Sequence, residues 1–275
     1  MTSTISVPTV SGAPLATGLF GRFRWAVADT WTITKRNLIN YTRIPVALFF
    51  STVQPIMFVL LFRYVFGGAI HPPEGVSYVN YLMPGIFVQT VAFGAVSTSI
   101  GLAEDLQKGL VERFRALPMA RSAVLTGRTT ADLCRNVMVV IIMTGTGFLV
   151  GFRPSTGVLA FLAGIGLILL FAYALSWGFA VIGLSAPSSE AAQIMSFPLL
   201  FPLIFASSAF VPVQFMPGWL QGFATYQPVS VTATACRALM IGGPTATWVV
   251  QSLLWAVGML AVFVPLAVRR YRTLT

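Results

Sequence analysis

A chain of 275 residues that is 56% hydrophobic and only 9% charged is not an ordinary soluble domain, in which about a quarter of the residues carry charge. Its mean hydropathy is +0.84, and its net charge of +10 comes from 17 Lys and Arg against 7 Asp and Glu. At about 20 residues per membrane crossing, that length provides several spans and no room for a large soluble catalytic domain. The two cysteines, Cys134 and Cys236, are too few for a disulfide framework.

Residues 1–21 are rich in Ser, Thr, Pro and Gly, with neither Lys nor Arg and no long apolar core. They read as a flexible cytoplasmic tail rather than a cleaved signal. Residues 22–44 read as an amphipathic helix lying in the membrane interface. Phe23, Val27, Trp31, Thr34, Leu38 and Tyr41 fall within an arc of roughly 80° at helical spacing, with Arg24, Asp29, Lys35, Arg36 and Arg43 on the other side. Trp25 and Ile39 interrupt the polar side. Trp31 would face lipid, with Lys35 and Arg36 at the headgroups; the plainer alternative is a topology anchor.

Residues 45–275 read as a six-span domain. The spans are about 45–66, 78–100, 136–152, 158–184, 191–211 and 247–268, and Gln54-Pro55 interrupts the first. Five Lys and Arg precede span 1, six lie between Lys108 and Arg135, and three close the chain (Arg269, Arg270, Arg272). Only Arg63, Arg153 and Arg237 fall elsewhere. With six spans this places all three clusters and both termini on the cytoplasmic side, and His71 and Gly218 outside. The expected fold is therefore an all-α integral membrane protein.

The stretch between spans 2 and 3 is much longer than a turn requires. Leu102, Leu106, Leu110 and Phe114 recur every four residues, and Pro118 ends the pattern. That is a helix with one apolar stripe, flanked by Glu104, Asp105, Lys108, Glu112, Arg113 and Arg115. It reads as a docking element for a soluble partner, or as a solvated loop helix held by pairs such as Glu104–Lys108. Residues 212–244 carry Pro212, Pro217, Pro228 and Pro244 with Trp219 between them. They are apolar enough to enter the membrane and broken too often to cross it, which fits two short helices dipping into the outer leaflet. Gly147 and Gly151 form one GxxxG, a weak packing signal.

Several chemistries are missing. No Gly-x-x-x-x-Gly-Lys-Ser/Thr occurs, so the chain has no phosphate cradle of its own. His71, the one histidine, has only Glu74 near it in sequence, which is too little for a metal site. None of the seven acids falls in mid-span, where an ion-coupled carrier holds its proton or sodium. Energy is expected from outside the chain, and a nucleic-acid partner is excluded for want of a soluble basic face. The rival reading, an intramembrane lipid-modifying enzyme, would need paired acids or a His–acid pair near the interface.

Two motifs carry a family resemblance over nearly the whole chain. The first is Glu104-Asp105…Lys108-Gly109-Leu110…Glu112-Arg113-Phe114-Arg115-Ala116-Leu117-Pro118, followed by Gly127-Arg128. The second is Phe210-Val211-Pro212…Met216-Pro217-Gly218-Trp219-Leu220-Gln221…Gln227-Pro228…Arg237-Ala238-Leu239…Gly242-Gly243. Together they resemble the permease subunits of ABC-2 type exporters of the daunorubicin-resistance kind, except that Gln227 stands where many relatives have Asn. The resemblance implies a coupling helix in the first motif and outer re-entrant helices in the second. It implies a separate ABC ATPase subunit that holds ATP and Mg2+, with no cofactor in this chain, and a second permease copy, identical or related. It also implies amphipathic or lipidic cargo moved outward across the bacterial cytoplasmic membrane. The family's cavity-lining spans would here present Phe87, Gln89, Phe93, Met195, Phe197, Phe201 and Phe205.

Overall fold

The computed structural model describes residues 19–43, 45–68, 75–110 and 121–273. Among them every regular element is helical and there is no strand. In chain order these are α1 (Leu19–Arg43), α2 (Pro45–Leu60), α3 (Tyr78–Gln107), α4 (Arg121–Val150), α5 (Val158–Ser185), α6 (Ser189–Phe205), α7 (Gly218–Tyr226), α8 (Pro228–Ile241) and α9 (Thr245–Thr273). Helix α2 runs through Pro55 and widens into a π-helical turn at Leu61–Val65. Helices α3, α5, α9 and the Ala123–Val150 part of α4 are long and apolar enough to cross a membrane. The apolar helices α6 and α8 are shorter.

The helix ends follow from local chemistry. Ser77 caps α3 and Ser188 caps α6, each hydroxyl accepting from a backbone N–H three residues on. Gly151 ends α4 at φ +98°, a conformation that other residues rarely adopt. The prolines of the 212–244 stretch start elements rather than break them. Pro212 precedes a single 3-10 turn at Val213–Phe215, Pro217 precedes α7, and Pro228 is the first residue of α8. A proline fits there because the first turn of a helix leaves its N–H groups unbonded.

Helix α3 is the axis of the bundle. Every residue from Tyr81 to Ala92 is buried, with α5, α6, α8 and α4 packed around it. Helix α9 sits outside, on α5 and α8, with only 17% of its apolar window buried. A second core of Leu102, Val124, Leu125, Trp177, Leu184 and Tyr271 closes one end of the bundle. At that end lie Lys35, Arg36, Lys108, Arg128, Arg135 and the arginines that end α9. Helix α1 is held there against α4.

Candidate functional site

Two polar nodes stand out, one at each end of the bundle. At the basic end Asp105, near the end of α3, faces two arginines. Arg36 of α1 donates from Nη2 to both Asp105 oxygens at 3.3 Å. Arg128 of α4 has Nη1 3.8 Å from Asp105 Oδ2 and Nε 3.7 Å from Asp132 Oδ2. Asp132, fully buried, also accepts from Thr98 Oγ1 at 2.6 Å. Arg135 extends the network by donating to Ser97 Oγ at 2.9 Å and to the Gly94 carbonyl at 2.6 Å. One carboxylate thus ties three helices together, and three arginines are set against two aspartates in a mostly buried site.

Close backbone approach brings α1 to this node. Thr34 donates to the Gly127 carbonyl at 3.2 Å. A β-carbon at Gly127 would lie 2.7 Å from two Ile33 carbons and 3.0 Å from the Thr30 carbonyl oxygen. Gly127→Val is therefore expected to push α1 off α4 and destabilise the chain by about 1–3 kcal/mol. Thermal unfolding of the purified variant in detergent measures this, and an unchanged midpoint would mean that α1 shifts without strain.

Neighbouring residues of the sequence-predicted coupling segment divide between inside and outside. Glu104 and Lys108 pair on the open face of α3, with side chains 49% and 60% exposed, while Asp105 between them points inward. Leu102 is buried, and Leu106 packs against the same second core, so this half of the apolar stripe seats on the chain's own bundle. Gly109 turns the chain at φ +63°. Glu112, Arg113, Phe114, Arg115 and Pro118 lie outside the described residues. On α1, Trp31 and Lys35 are exposed, whereas Arg36 is drawn into the node. Arg128, Asp132 and Arg135 were not singled out in the sequence as site residues. Their spacing of four and three put them on one helical face, and that was the available signal.

The opposite node is built on Arg237 of α8, 7% exposed. Its guanidinium donates to the Tyr81 carbonyl at 2.8 Å, Ser208 Oγ at 3.2 Å, and the Ser208 and Ala209 carbonyls. It lies 3.8 Å from the Tyr81 ring centre, within cation–π range. Tyr81 donates its hydroxyl to the Ser208 carbonyl as well. Gln227 takes the N-cap of α8, with Oε1 accepting from Val229 N and Nε2 donating to the Leu203 carbonyl. Pro212 and Pro228 are buried beside this node, while Pro217 and Trp219 are exposed.

The predicted cavity residues fall into two groups. Phe93, Phe197, Phe201 and Phe205 join a run of ring contacts that continues through Phe210 to Phe62. This run covers α6 and reaches α2; Phe201 and Phe205 on it are about half exposed, as is Met195 elsewhere on α6. Phe87 packs instead in the core, edge-on to Phe152. Gln89 is buried in mid-helix, and its Oε1 has no hydrogen-bond partner among the described residues. Phe62 and Phe210 complete the run; their sequence signal, isolated Phe in apolar stretches, cannot be told from core packing.

Comparison with known proteins supplies the family. The ABC-2 type transporter model matches residues 28–241. The chain is 36% identical over 248 residues to the "Daunorubicin resistance ABC transporter permease protein DrrB1" of Streptomyces coeruleorubidus, covering 90% of this chain and 87% of that one. It is 28% identical over 253 residues to the "Probable doxorubicin resistance ABC transporter permease protein DrrC" of Mycobacterium tuberculosis, with 92% and 91% covered. The match takes in both nodes and most of the bundle, and the chain belongs to the ABC-2 type transporter family of membrane permeases.

Proposed function

We propose that this chain is the transmembrane permease subunit of an ATP-driven exporter. It moves amphipathic drugs or lipids outward across the bacterial cytoplasmic membrane, pairs with a second permease, and is driven by a separate ABC ATPase that carries ATP and Mg2+. Six elements serve as spans: α2 with its π turn, α3, α4, α5, α6 and α9. Helices α7 and α8 form the outer re-entrant hairpin. In support, the Tyr226 carbonyl at the end of α7 accepts from Trp255 Nε1 at 3.0 Å. Trp255 is ten residues into α9, about 15 Å along its axis. The chain turns there, and α8 returns until Ser155 reaches the Ile241 carbonyl at the outer end.

The observation that carries the reading is the build of the basic end. Glu104 and Lys108 stand on the open face of a stiff helix whose inner face is fixed to α1 and α4 through Asp105. A push delivered to that open face would move three helices as one body. An exporter driven by a separate ATPase needs such a joint, and charges at its surface set register and partner choice. The sequence holds no phosphate-binding motif of its own.

Reconstitution tests this. The chain alone in vesicles is expected to hydrolyse no ATP. With its ATPase it should change that subunit's turnover and drive efflux of daunorubicin or doxorubicin, the drugs named by its relatives. Efflux driven by a proton gradient with no ATPase present would overturn the proposal. Orientation is checked separately, in a chain lacking Cys134 and Cys236. An impermeant thiol reagent on intact cells is expected to label Gly218→Cys and to spare Lys108→Cys; the reverse pattern would invert the topology.

A further inference from the structure

We propose that the groove between α7 and α9 binds a neutral membrane lipid through its hydroxyl or ester oxygens. The inference rests on α9 crossing the membrane, and it concerns a different face from the Phe run on α6 and α2. The groove has a volume of about 330 Å³ and is lined by Tyr226, Gln251, Leu254 and Trp255. That is the low end of the size range of small-molecule sites, about 300–1,000 Å³, and suits the upper part of a lipid rather than a whole one.

Gln251 gives the groove its chemistry. It lies in the apolar outer half of α9, and its Oε1 is buried with no hydrogen-bond partner among the described residues. An amide in hydrocarbon without a partner is costly. The nearby indole N–H cannot serve it, because Trp255 Nε1 is already given to the Tyr226 carbonyl. The terminal torsion of glutamine is broad and roughly two-fold, so a half-turn of the amide exchanges its oxygen and nitrogen at the groove. A hydroxyl can donate to the amide oxygen or accept from its nitrogen, and an ester carbonyl can accept from the nitrogen. None of the described residues that line the groove is charged, which favours a neutral head over a phosphate or an ammonium.

The order of groups along α9 matches a lipid standing in the outer leaflet. Gln251 lies about 9 Å below the start of the helix at Thr245, and Leu254 and Trp255 about 14–15 Å below it. The polar contact is therefore nearer the surface, and the apolar wall lies deeper, alongside the chains. The bond from Trp255 to Tyr226 fixes the indole as one wall. Tyr226, 64% exposed, lies level with Trp255 and adds a second aromatic ring to the deeper wall.

The test uses the whole chain in vesicles, with no ATPase and no cargo. Failure of the exporter reading would therefore not affect it. A photoactivatable diacylglycerol, with its reactive group on the acyl chain, is included at low mole fraction, and the adducts are mapped by mass spectrometry. Labelling is expected to concentrate on Leu254 and Trp255. Gln251→Leu should lower it about fivefold, the equivalent of one hydrogen bond of about 1 kcal/mol, while the variant still elutes as a single species. Trp255→Phe, which keeps a ring but loses the bond to Tyr226, should lower it too. Labelling spread evenly to exposed Val257 and Val262, unaffected by Gln251→Leu, would mean ordinary lipid contact and would overturn the proposal. So would ready disulfide formation between two Leu254→Cys chains, which would make the groove a chain–chain contact. Equal competition by phosphatidylglycerol would overturn the neutral-head assignment.

Discussion

Asp105→Asn is expected to loosen α1 from the bundle and to lower the thermal midpoint of the purified permease by roughly 5–10 °C. The substitution keeps the shape and removes the charge that Arg36 and Arg128 share. Breaking a buried pair from one side costs about 3–5 kcal/mol, because the remaining charge is left without its partner. Partial exposure of Arg36, 30% at its side chain, and the nearby Asp132 put this case at the low end, about 3 kcal/mol. Glu104→Arg is expected to behave in the opposite way. Its pair with Lys108 is exposed, so the cost in stability is at most about 1 kcal/mol, yet ATPase association and export should fall. The two adjacent acids therefore separate the joint's inner anchor from its outer face. Thermal unfolding, pull-down of the ATPase and cargo efflux, measured on both variants, decide the matter. If Asp105→Asn unfolds at the wild-type temperature, the node is not what holds α1 in place. If Glu104→Arg binds and exports normally, the open face of α3 is not the docking surface.

That division between residues 104 and 105 was not legible in the sequence. Successive residues on a helix point about 100° apart, and nothing in a run of Glu-Asp says which one meets a partner on another helix. The long apolar stretches were legible, because α3, α5 and α9 are uniform enough to be read from hydropathy alone. The helix ends at the basic node were not. The apolar run of span 3 begins at Asn136, but α4 begins at Arg121. The polar residues between them look like loop because hydropathy averages over faces. On the helix, Arg128, Asp132 and Arg135 share one side and meet Thr98, Ser97 and Gly94 of α3. The prolines at 212, 217 and 228 were legible as interruptions. That each sits at the start of an element, where its missing N–H does no harm, needed the backbone. The departure at Gln227 resolves in the same way: the side-chain amide caps α8 and still reaches back to Leu203.

At the other end, Arg237→Leu is expected to be the most damaging single change in that half of the bundle. Arg237 is buried, and all of its hydrogen-bond acceptors are neutral: three backbone carbonyls and one hydroxyl. Among the described residues the acids Asp29, Glu104, Asp105, Asp132 and Glu190 lie at or near the basic end of the bundle, so carbonyl dipoles and the Tyr81 ring hold the charge. Leucine removes the cost of burying a cation, but it leaves carbonyls of the segment after α6 without their donor. Each such group costs about 1–3 kcal/mol, so a net loss of about 2–5 kcal/mol is expected. Lysine keeps the charge but lacks the planar fork that reaches Tyr81, Ser208 and Ala209 together, and it should recover only part of the loss. Tyr81→Phe removes one donor to the Ser208 carbonyl, which Arg237 also serves, so its cost should be about 1 kcal/mol. The double variant should deviate from additivity by about 0.5–1 kcal/mol, since the two side chains share that oxygen. Thermal unfolding of the four variants measures this cycle. Proteolysis of residues 206–212 in right-side-out vesicles reports whether the segment has come loose. Wild-type stability for Arg237→Leu would mean that water satisfies these carbonyls, and that the parts of α3, α6 and α8 around this node are held by apolar packing alone.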